Sequence, residues 1–257
     1  MLRRGPLRPP EGFDTLMTAG VSTAGPVAIW ASAAGRTELS GVATQPGGPT
    51  FPHSEPGTAP PVALAAYTGD GDLTATVEVP ALPVAHPHVD RFPDGSFLVV
   101  GARCRWRKGG PERNAVVYGE SGEVVRRGCL GDGIEHVQVA SDGTVWVGYF
   151  DEGVFGNYGW GDPGPAPLGA GGIVAWTAEL QKAWELDPAE GLVVDCYTLN
   201  VSGTEVLSSP YTDFPVVRIH AGEVTVTPTQ GVSGPRGILR SGHRVGLVGS
   251  YYDPRLL

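Results

Sequence analysis

Two short apolar runs flank an Asp-Gly pair in the stretch Val137-Gln-Val-Ala-Ser-Asp142-Gly-Thr-Val-Trp-Val-Gly148. A two-residue turn between strand-like runs is a strong hairpin signal, because Asp-Gly readily adopts the positive φ angles that such a turn requires. The stretch therefore predicts two antiparallel strands joined at Asp142 and Gly143.

The same pattern occurs three more times along the chain. The other copies are Val89–Gly101 around Asp94-Gly, Tyr197–Ser208 around Ser202-Gly, and Ile238–Gly249 around Ser241-Gly. In chain order, a second predicted hairpin follows each of the first three copies, at 115–125, 173–186 and 216–227. Four short strands in roughly 40 to 60 residues form the repeating unit of a β-propeller blade.

The N-terminal region completes a less regular unit of the same kind. The predicted fold is an all-β, five-bladed β-propeller of four-stranded antiparallel blades, occupying residues 1–257 as a single domain. The alternatives are a six-bladed propeller or a β-sandwich. The last blade has only one hairpin, so ring closure requires an outer strand from the segment before residue 13. The blades are expected at about 13–80, 85–128, 134–187, 193–228 and 236–257, with a long Pro- and Gly-rich loop at 45–61.

In these repeated hairpins the chain resembles the β-propeller repeat proteins. It is similar to the irregular bacterial propellers, such as the gluconolactonase and streptogramin-lyase groups, and lacks the WD and Kelch signatures. The resemblance covers most of the chain. It implies that the first strand of each blade lies innermost, and that the segments before it and after the second strand open on one face. Propellers include enzymes and binding proteins alike, so the resemblance indicates where a site lies and not its chemistry.

The net charge of −9 at pH 7 argues against nucleic-acid and anionic-membrane partners, because both require a basic surface. The basic stretch 103–113 is interpreted as a solvated loop. Three cysteines without a CxxC spacing favour a reducing cytoplasm over a disulfide framework. No apolar run is long enough for a transmembrane helix, and the N-terminus lacks the apolar core of a secretory signal. We therefore expect a cytoplasmic protein whose partner is a small-molecule substrate or ligand.

Equivalent positions in three successive units carry residues suited to metal binding or acid–base chemistry. Six residues before the turn stand His88, His136 and Cys196, and Glu135 and Asp195 precede the last two. Equivalent positions converge in a ring, and His, His and Cys can bind zinc or copper.

His86 extends this set, because it precedes Pro87 and a residue before proline favours extended backbone. Extended chain has a side-chain period of two, so His86, His88 and Asp90 are expected to face the same way. The alternatives are metal-free acid–base chemistry, or buried histidines that fix the spacing between blades. The predicted ligands of a divalent metal, zinc or calcium, are His86, His88, His136, Asp195 and Cys196.

A long loop in the third predicted blade, from Tyr149 to Gly172, offers carboxylates and aromatic rings to a ligand. The alternative is that its aromatic rings form a small core that pins the loop. The corresponding segments of other predicted blades add further candidates. Among these, the arginines are expected to bind an anionic group of the ligand. The predicted substrate-binding residues are Tyr149, Glu152, Tyr158, Trp160, Tyr211, Asp213, Arg103 and Arg236.

These residues together predict a small-molecule enzyme of hydrolase or lyase type, with its site at the axial mouth of the propeller. The histidines are expected to act as acid–base groups or ligands, with the carboxylates as their partners. The alternatives are a non-catalytic ligand-binding or protein-interaction propeller, and a calcium site with oxygen ligands. The sequence has no GxSxG, Walker A or HExxH motif. The expected catalytic residues are His88, His136, Glu135 and Asp151.

Overall fold

The structure is a computed structural model that describes residues 6–44, 47–48 and 50–252. This part of the chain is all-β, apart from two short α-helices and one 3-10 turn. The chain divides into two compact units, Met1–Leu130 and Gly131–Leu257. The predictions for a closing N-terminal strand and for the end of the fifth blade fall partly on residues 1–5 and 253–257, outside the described residues.

The first unit contains two four-stranded antiparallel sheets in its described residues. Sheet 1 has the strand order β1-β2-β5-β6, and sheet 2 has the order β12-β11-β8-β7. Two short hairpins, β3-β4 and β9-β10, lie in the connections within these sheets. The strands are β1 (Thr15–Ser22), β2 (Gly25–Ala31), β3 (Val42–Thr44), β4 (Thr50–Pro52), β5 (Val62–Tyr67), β6 (Leu73–Val79), β7 (Pro87–Arg91), β8 (Phe97–Gly101), β9 (Trp106–Arg107), β10 (Gly110–Pro111), β11 (Ala115–Tyr118) and β12 (Val124–Gly128).

The connection from β2 to β5 is more ordered than the sequence predicts. It contains α1 (Ala33–Leu39), whose N-cap Ser32 accepts a hydrogen bond from the backbone N–H of Gly35 at 3.1 Å. The hairpin β3-β4 then enters the stretch expected to be a loop. Helix capping and strand pairing therefore order much of this connection. Gln45, Pro46 and Pro49 lie outside the described residues.

Apolar residues of sheets 1 and 2 form one core in the first unit, which includes Leu64, Val89 and Val116. Every residue of the central strand β5 is buried, whereas the edge strand β12 is largely exposed. The first strands of the two sheets, β1 and β7, are neighbours. A Cβ at Gly20 would lie 2.8 Å from the carbonyl oxygen of Val89, so their close approach requires glycine there.

The second unit contains two more four-stranded antiparallel sheets and a terminal hairpin in its described residues. Sheet 3 has the order β13-β14-β15-β16, sheet 4 has the order β17-β18-β19-β20, and β21 pairs with β22. Beside them lie α2 (Asp151–Phe155) and the 3-10 turn Pro188–Glu190. The strands are β13 (Ile134–Val139), β14 (Val145–Tyr149), β15 (Ile173–Trp176), β16 (Lys182–Glu185), β17 (Leu199–Ser202), β18 (Glu205–Ser208), β19 (Val216–His220), β20 (Glu223–Thr227), β21 (Gly237–Ser241) and β22 (Arg244–Val248).

Hydrogen bonds that involve side chains join the first strands of sheet 3, sheet 4 and the terminal hairpin. The backbone N–H of Val201 donates to Oε1 of Gln138 at 2.6 Å, and Nδ2 of Asn200 donates to the carbonyl oxygen of Ile238 at 2.8 Å. Strand β17 is thus bonded to both β13 and β21. The buried carboxylate of Glu205 adds ion pairs with Arg218 of β19 and Arg240 of β21. These contacts hold the three first strands near one another.

The four hairpins predicted from the sequence are confirmed by the strand pairing. β7 pairs with β8, β13 with β14, β17 with β18, and β21 with β22. The carboxylates of Asp94 and Asp142 accept the backbone N–H two residues later, from Ser96 and Thr144 at 2.9 Å each. These bonds support turns of three residues, 93–95 and 141–143, where turns of two residues were expected, because Phe92 bonds to Ser96 and Ala140 to Thr144 across them. Among the described residues, none of the helices has the length and apolar character needed to cross a membrane.

Candidate functional site

A β-bulge at the start of β13 brings two neighbouring side chains to one pocket. Ile134 pairs with Tyr149 and His136 pairs with Gly148, so Glu135 is the extra residue. Neighbours in a regular strand point to opposite faces, whereas a bulge re-aims one of them. Glu135 and His136 accordingly line the same pocket.

Cys196 packs against the end of β14 beside His136. Its backbone N–H donates to the carbonyl oxygen of Tyr149 at 2.9 Å. The approach requires glycine at position 148, because a Cβ there would lie 2.5 Å from Sγ of Cys196. Burial raises the pKa of Cys196 to about 12, although a hydrogen bond with Ser208 opposes the rise. The thiol is therefore protonated at neutral pH and serves as a packing group.

A solvent-open pocket of about 440 Å³ lies in the second unit where these segments meet. Its walls come from the start of β13, from the segments that precede β17 and β21, and from the residues that follow β14 and β22. The volume is within the range of small-molecule sites. The lining residues are Glu135, His136, Phe150, Asp195, Tyr197, Gly234, Pro235, Arg236 and Tyr251.

Asp195 is a half-buried pocket residue whose charged form is disfavoured. Its carbonyl oxygen accepts the backbone N–H of Tyr211 at 2.9 Å, which ties the segment before β17 to the loop after β18. Burial raises the pKa of Asp195 to about 6, and the charges of Asp151 and Glu135 add to the rise. A carboxyl group that titrates near this pH can exchange a proton with a ligand under neutral conditions.

His136 presents a neutral imidazole to the same pocket. Burial lowers the pKa of His136, and this effect exceeds the opposing effects of the Glu135 charge and the nearby backbone of Tyr197 and Cys196. Its Nε2 atom is buried and has no hydrogen-bond partner among the described residues. Buried polar atoms are nearly always hydrogen-bonded, so this nitrogen is an exception among the described residues.

Four rings form an aromatic cluster at one side of the pocket: Tyr197, Tyr211, Phe214 and Tyr251. The hydroxyl groups of Tyr251 and Tyr197 share a hydrogen bond of 2.7 Å, and this bond together with burial raises the pKa of Tyr197. Tyr197 also stacks on Tyr211, with ring centroids 6.2 Å apart, and meets Phe214 edge-on at 5.2 Å. The Tyr197 ring is therefore held by neighbours on several sides.

The structure brings together part of the predicted site. Glu135, His136, Asp195 and Arg236 line the pocket. Asp151 is the exposed first residue of α2, and its charge acts on Asp195. Tyr211 reaches the site through the aromatic cluster, whereas the exposed Asp213 and the partly buried Glu152 are not lining residues.

Tyr149 at the end of β14 and two aromatic residues of the loop that follows do not fit the predicted substrate contact. Tyr149 has no exposed surface, and Tyr158 and Trp160 are also buried. A Cβ at Gly169 would lie 2.3 Å from Cδ1 of Tyr149, so the loop closes tightly over this ring. The burial of these rings supports the alternative that they pin the loop as a small core.

The remaining predicted residues belong to the first unit. His86 has a φ of 47°, so the extended backbone expected before Pro87 is wrong. Contacts with distant residues set this conformation. The His86 backbone N–H donates to the carbonyl oxygen of Leu39 at 2.7 Å, and Nε2 of His86 lies 3.0 Å from the carbonyl oxygen of Gly41. His88 and Asp90 lie two residues apart in β7, as expected for extended chain. Arg103 is only 4% exposed, which does not fit the predicted contact with an anionic ligand.

No group of three or more His, Cys, Asp and Glu side chains in the described part of the chain could hold a metal ion. Cys196 is a protonated packing group, and His86 contacts a backbone carbonyl. The predicted zinc or calcium ligands, His86, His88, His136, Asp195 and Cys196, therefore gain no support from the described geometry.

Sequence reasoning missed the aromatic lining residues Tyr197 and Tyr251, and it did not select Phe150 from the aromatic residues of the long loop. Each lies in a segment before a first strand or after a second strand, where the turn alignment already located His136 and Asp195. The same alignment could have identified Tyr197, which directly follows Cys196. Aromatic rings were sought instead in the long loop, where most of them are buried.

The pKa of Asp195 predicts how its replacement changes stability with pH. The folded chain raises this pKa from 3.8 to about 6, so the protonated carboxyl contributes stability that is complete below 3.8 and is lost as pH rises through about 6. Asparagine stays neutral at every pH. We expect Asp195→Asn to match the wild type at low pH and to be more stable by about 1 kcal/mol near pH 8.

The expected gain in stability of about 1 kcal/mol is small because solvent screens this half-exposed carboxyl group. A pKa rise from 3.8 to about 6 corresponds to at most about 3 kcal/mol, and screening reduces it. Urea denaturation across the pH range measures the difference. An Asp195→Asn chain less stable than the wild type near pH 8 would contradict the unfavourable charge.

Comparison with known proteins identifies no family. No protein-family model matches the chain. No curated protein matches it. Among solved structures, it is similar to a protein of unknown function from Bacteroides caccae, with 11% identity and a TM-score of 0.48 over 86% of this chain and 69% of that chain. It is also similar to a eukaryotic initiation factor, with 11% identity and a TM-score of 0.40 over 90% and 52% of the two chains. Both TM-scores are too low to carry an inference.

Proposed function

We propose that the pocket of the second unit is the site of a small-molecule enzyme of hydrolase or lyase type, with the Asp195 carboxylate as general base. The observation that carries this proposal is a half-buried carboxyl with a pKa of about 6 beside a neutral imidazole in an open pocket. Such a group is ionised at neutral pH and is more basic than an ordinary aspartate.

The same base would start either reaction. A proton taken from water produces the nucleophile of a hydrolase, and a proton taken from a substrate carbon begins the elimination of a lyase. His136 lies beside this base as a neutral imidazole, and the charge of Glu135 keeps Asp195 basic.

A second candidate function is ligand binding without chemistry. The observation that favours it is the aromatic cluster, whose rings supply apolar contact area to the pocket and require no acid–base partner. Binding without turnover of any substrate tested would favour this function over the enzyme.

The test is a panel of esters, lactones, amides and β-elimination substrates, assayed with the full chain. We expect turnover whose kcat/KM rises about tenfold per pH unit below about pH 6 and is level above it, because only the ionised Asp195 accepts a proton. A kcat/KM that is constant through this range would remove Asp195 from the chemistry.

We further propose that the four sheets and the terminal hairpin are the blades of a five-bladed β-propeller located in the cytoplasm. The repeated four-stranded sheets support the fold, together with the bonded first strands β13, β17 and β21. Three cysteines without a CxxC spacing support a reducing compartment. A crystal structure in which the sheets surround a common axis would establish the ring, and two stacked sheets would exclude it.

A further inference from the structure

The lining of the pocket combines aromatic rings with carboxylates. Phe150, Tyr197 and Tyr251 contribute rings, and Glu135 and Asp195 contribute carboxyl groups. The face of an aromatic ring is electrically negative and attracts a cation, as a carboxylate does at longer range. The aromatic rings and the carboxylates therefore both favour a positively charged ligand.

Tyr197 and Tyr251 form two perpendicular walls. Their ring planes meet at 87°, with centroids 5.9 Å apart, and their hydroxyl groups are hydrogen-bonded at 2.7 Å. Phe214 lies edge-on to both rings, at 5.2 Å from Tyr197 and 5.8 Å from Tyr251. Fixed rings at a steep angle are typical of sites for alkylated ammonium groups. Because neighbours already hold the rings, binding loses little side-chain freedom.

The charges around the pocket are mainly negative. Asp151 and Glu135 both act on Asp195, so three carboxyl groups lie close to the same wall. Arg236 is the opposing charge in the lining, and solvent screens it as it screens the exposed Glu135 and Asp151, so the carboxyl groups outnumber it three to one. His136 is neutral and adds no positive charge.

The ligand class follows from the charges of the pocket walls. A neutral ligand would cover the carboxylates without replacing the water they lose, and an anion would be repelled by them. A cation gains from both the rings and the carboxylates.

We infer that the ligand of this pocket is a small organic cation whose ammonium group carries alkyl substituents. The inference rests on the proposed function, because it names the substrate class of the same site. The cationic group contacts Tyr197 and Tyr251 on the side of Glu135 and Asp195. A volume of about 440 Å³ leaves space beside that group for the part of the molecule that reacts.

The test compares two probes that differ in charge and hardly in shape. Choline is titrated into the full chain by calorimetry at about pH 7.5, and 3,3-dimethylbutan-1-ol, its neutral carbon analogue, is titrated in parallel. We expect choline to bind at least about tenfold more tightly. Equal affinities, or no binding of choline, would overturn the inference.

Two adjacent tyrosines provide matched variants. Tyr251 lines the pocket, whereas Tyr252 is 91% exposed. We expect Tyr251→Ala to weaken choline binding about tenfold and Tyr252→Ala to leave it unchanged. Tyr251→Phe keeps the ring and loses the hydroxyl group, so it should keep most of the affinity. A Tyr251→Ala chain that binds choline as the wild type does would also overturn the inference.

These measurements separate the ligand class from the proposed chemistry. If choline and its neutral analogue bind equally while neutral substrates show turnover that depends on Asp195, the cation inference fails and the enzyme proposal stands. If choline is preferred and no substrate shows such turnover, the cation site stands and the enzyme proposal fails.

Discussion

Replacement of Gly148 by alanine is expected to destabilise the second unit by about 1 to 3 kcal/mol and to displace the pocket residues around it. A Cβ at this position would lie 2.5 Å from Sγ and 3.1 Å from Cβ of Cys196. Cys196 has little room to move, because it is buried and its backbone N–H is bonded to Tyr149. The added methyl group therefore forces β14 and the segment before β17 apart.

Gly246 provides the matched control for this variant. It lies in β22, and a Cβ there would meet nothing within 4 Å. Urea denaturation should show a clear loss for Gly148→Ala and little change for Gly246→Ala. Adding Cys196→Ala to Gly148→Ala removes the nearest atom, so part of the stability should return. Equal stability of Gly148→Ala and the wild type would show that the two segments are not packed as described.

Replacement of Asp195 by asparagine is expected to lower kcat at least about 100-fold on whichever substrate the panel identifies. The amide has nearly the same shape as the carboxyl group and cannot accept the proton. The variant should keep or gain stability near pH 8, since it removes an unfavourable charge. Activity lost from a stable chain would identify a chemical role and not a structural one.

Asp142→Asn provides the control for this loss. Asp142 is exposed, and its Oδ1 accepts the backbone N–H of Thr144, a bond that the asparagine oxygen can keep. We expect its kcat to equal that of the wild type. An Asp195→Asn enzyme with more than about a tenth of the wild-type kcat would exclude Asp195 as the general base.

The hairpins could be predicted because their signals are local. Asp94-Gly and Asp142-Gly form their turns with hydrogen bonds that span two residues, and the apolar runs beside them pair in register. The turn alignment also located His136 and Cys196, which lie close together because β13 and β17 are neighbours.

Other features depend on contacts that a local pattern does not contain. The bulge that gives Glu135 and His136 a common pocket arises from the pairing of β13 with β14. The conformation of His86 is set by Leu39 and Gly41, more than forty positions earlier in the chain. The burial of Tyr149 and Trp160 results from loop closure, so a count of aromatic residues could not separate pocket walls from packing.

The ionisation of Asp195 and His136 in the folded chain is the most direct test of the proposed site. Carboxyl ¹³C and imidazole NMR signals, assigned with Asp195→Asn and His136→Gln, give both pKa values in one pH titration. We expect Asp195 to titrate at about 6 and His136 to titrate below its ordinary value of 6.5. An Asp195 that titrates near 3.8 beside a His136 that titrates at or above 6.5 would contradict a general base in this pocket.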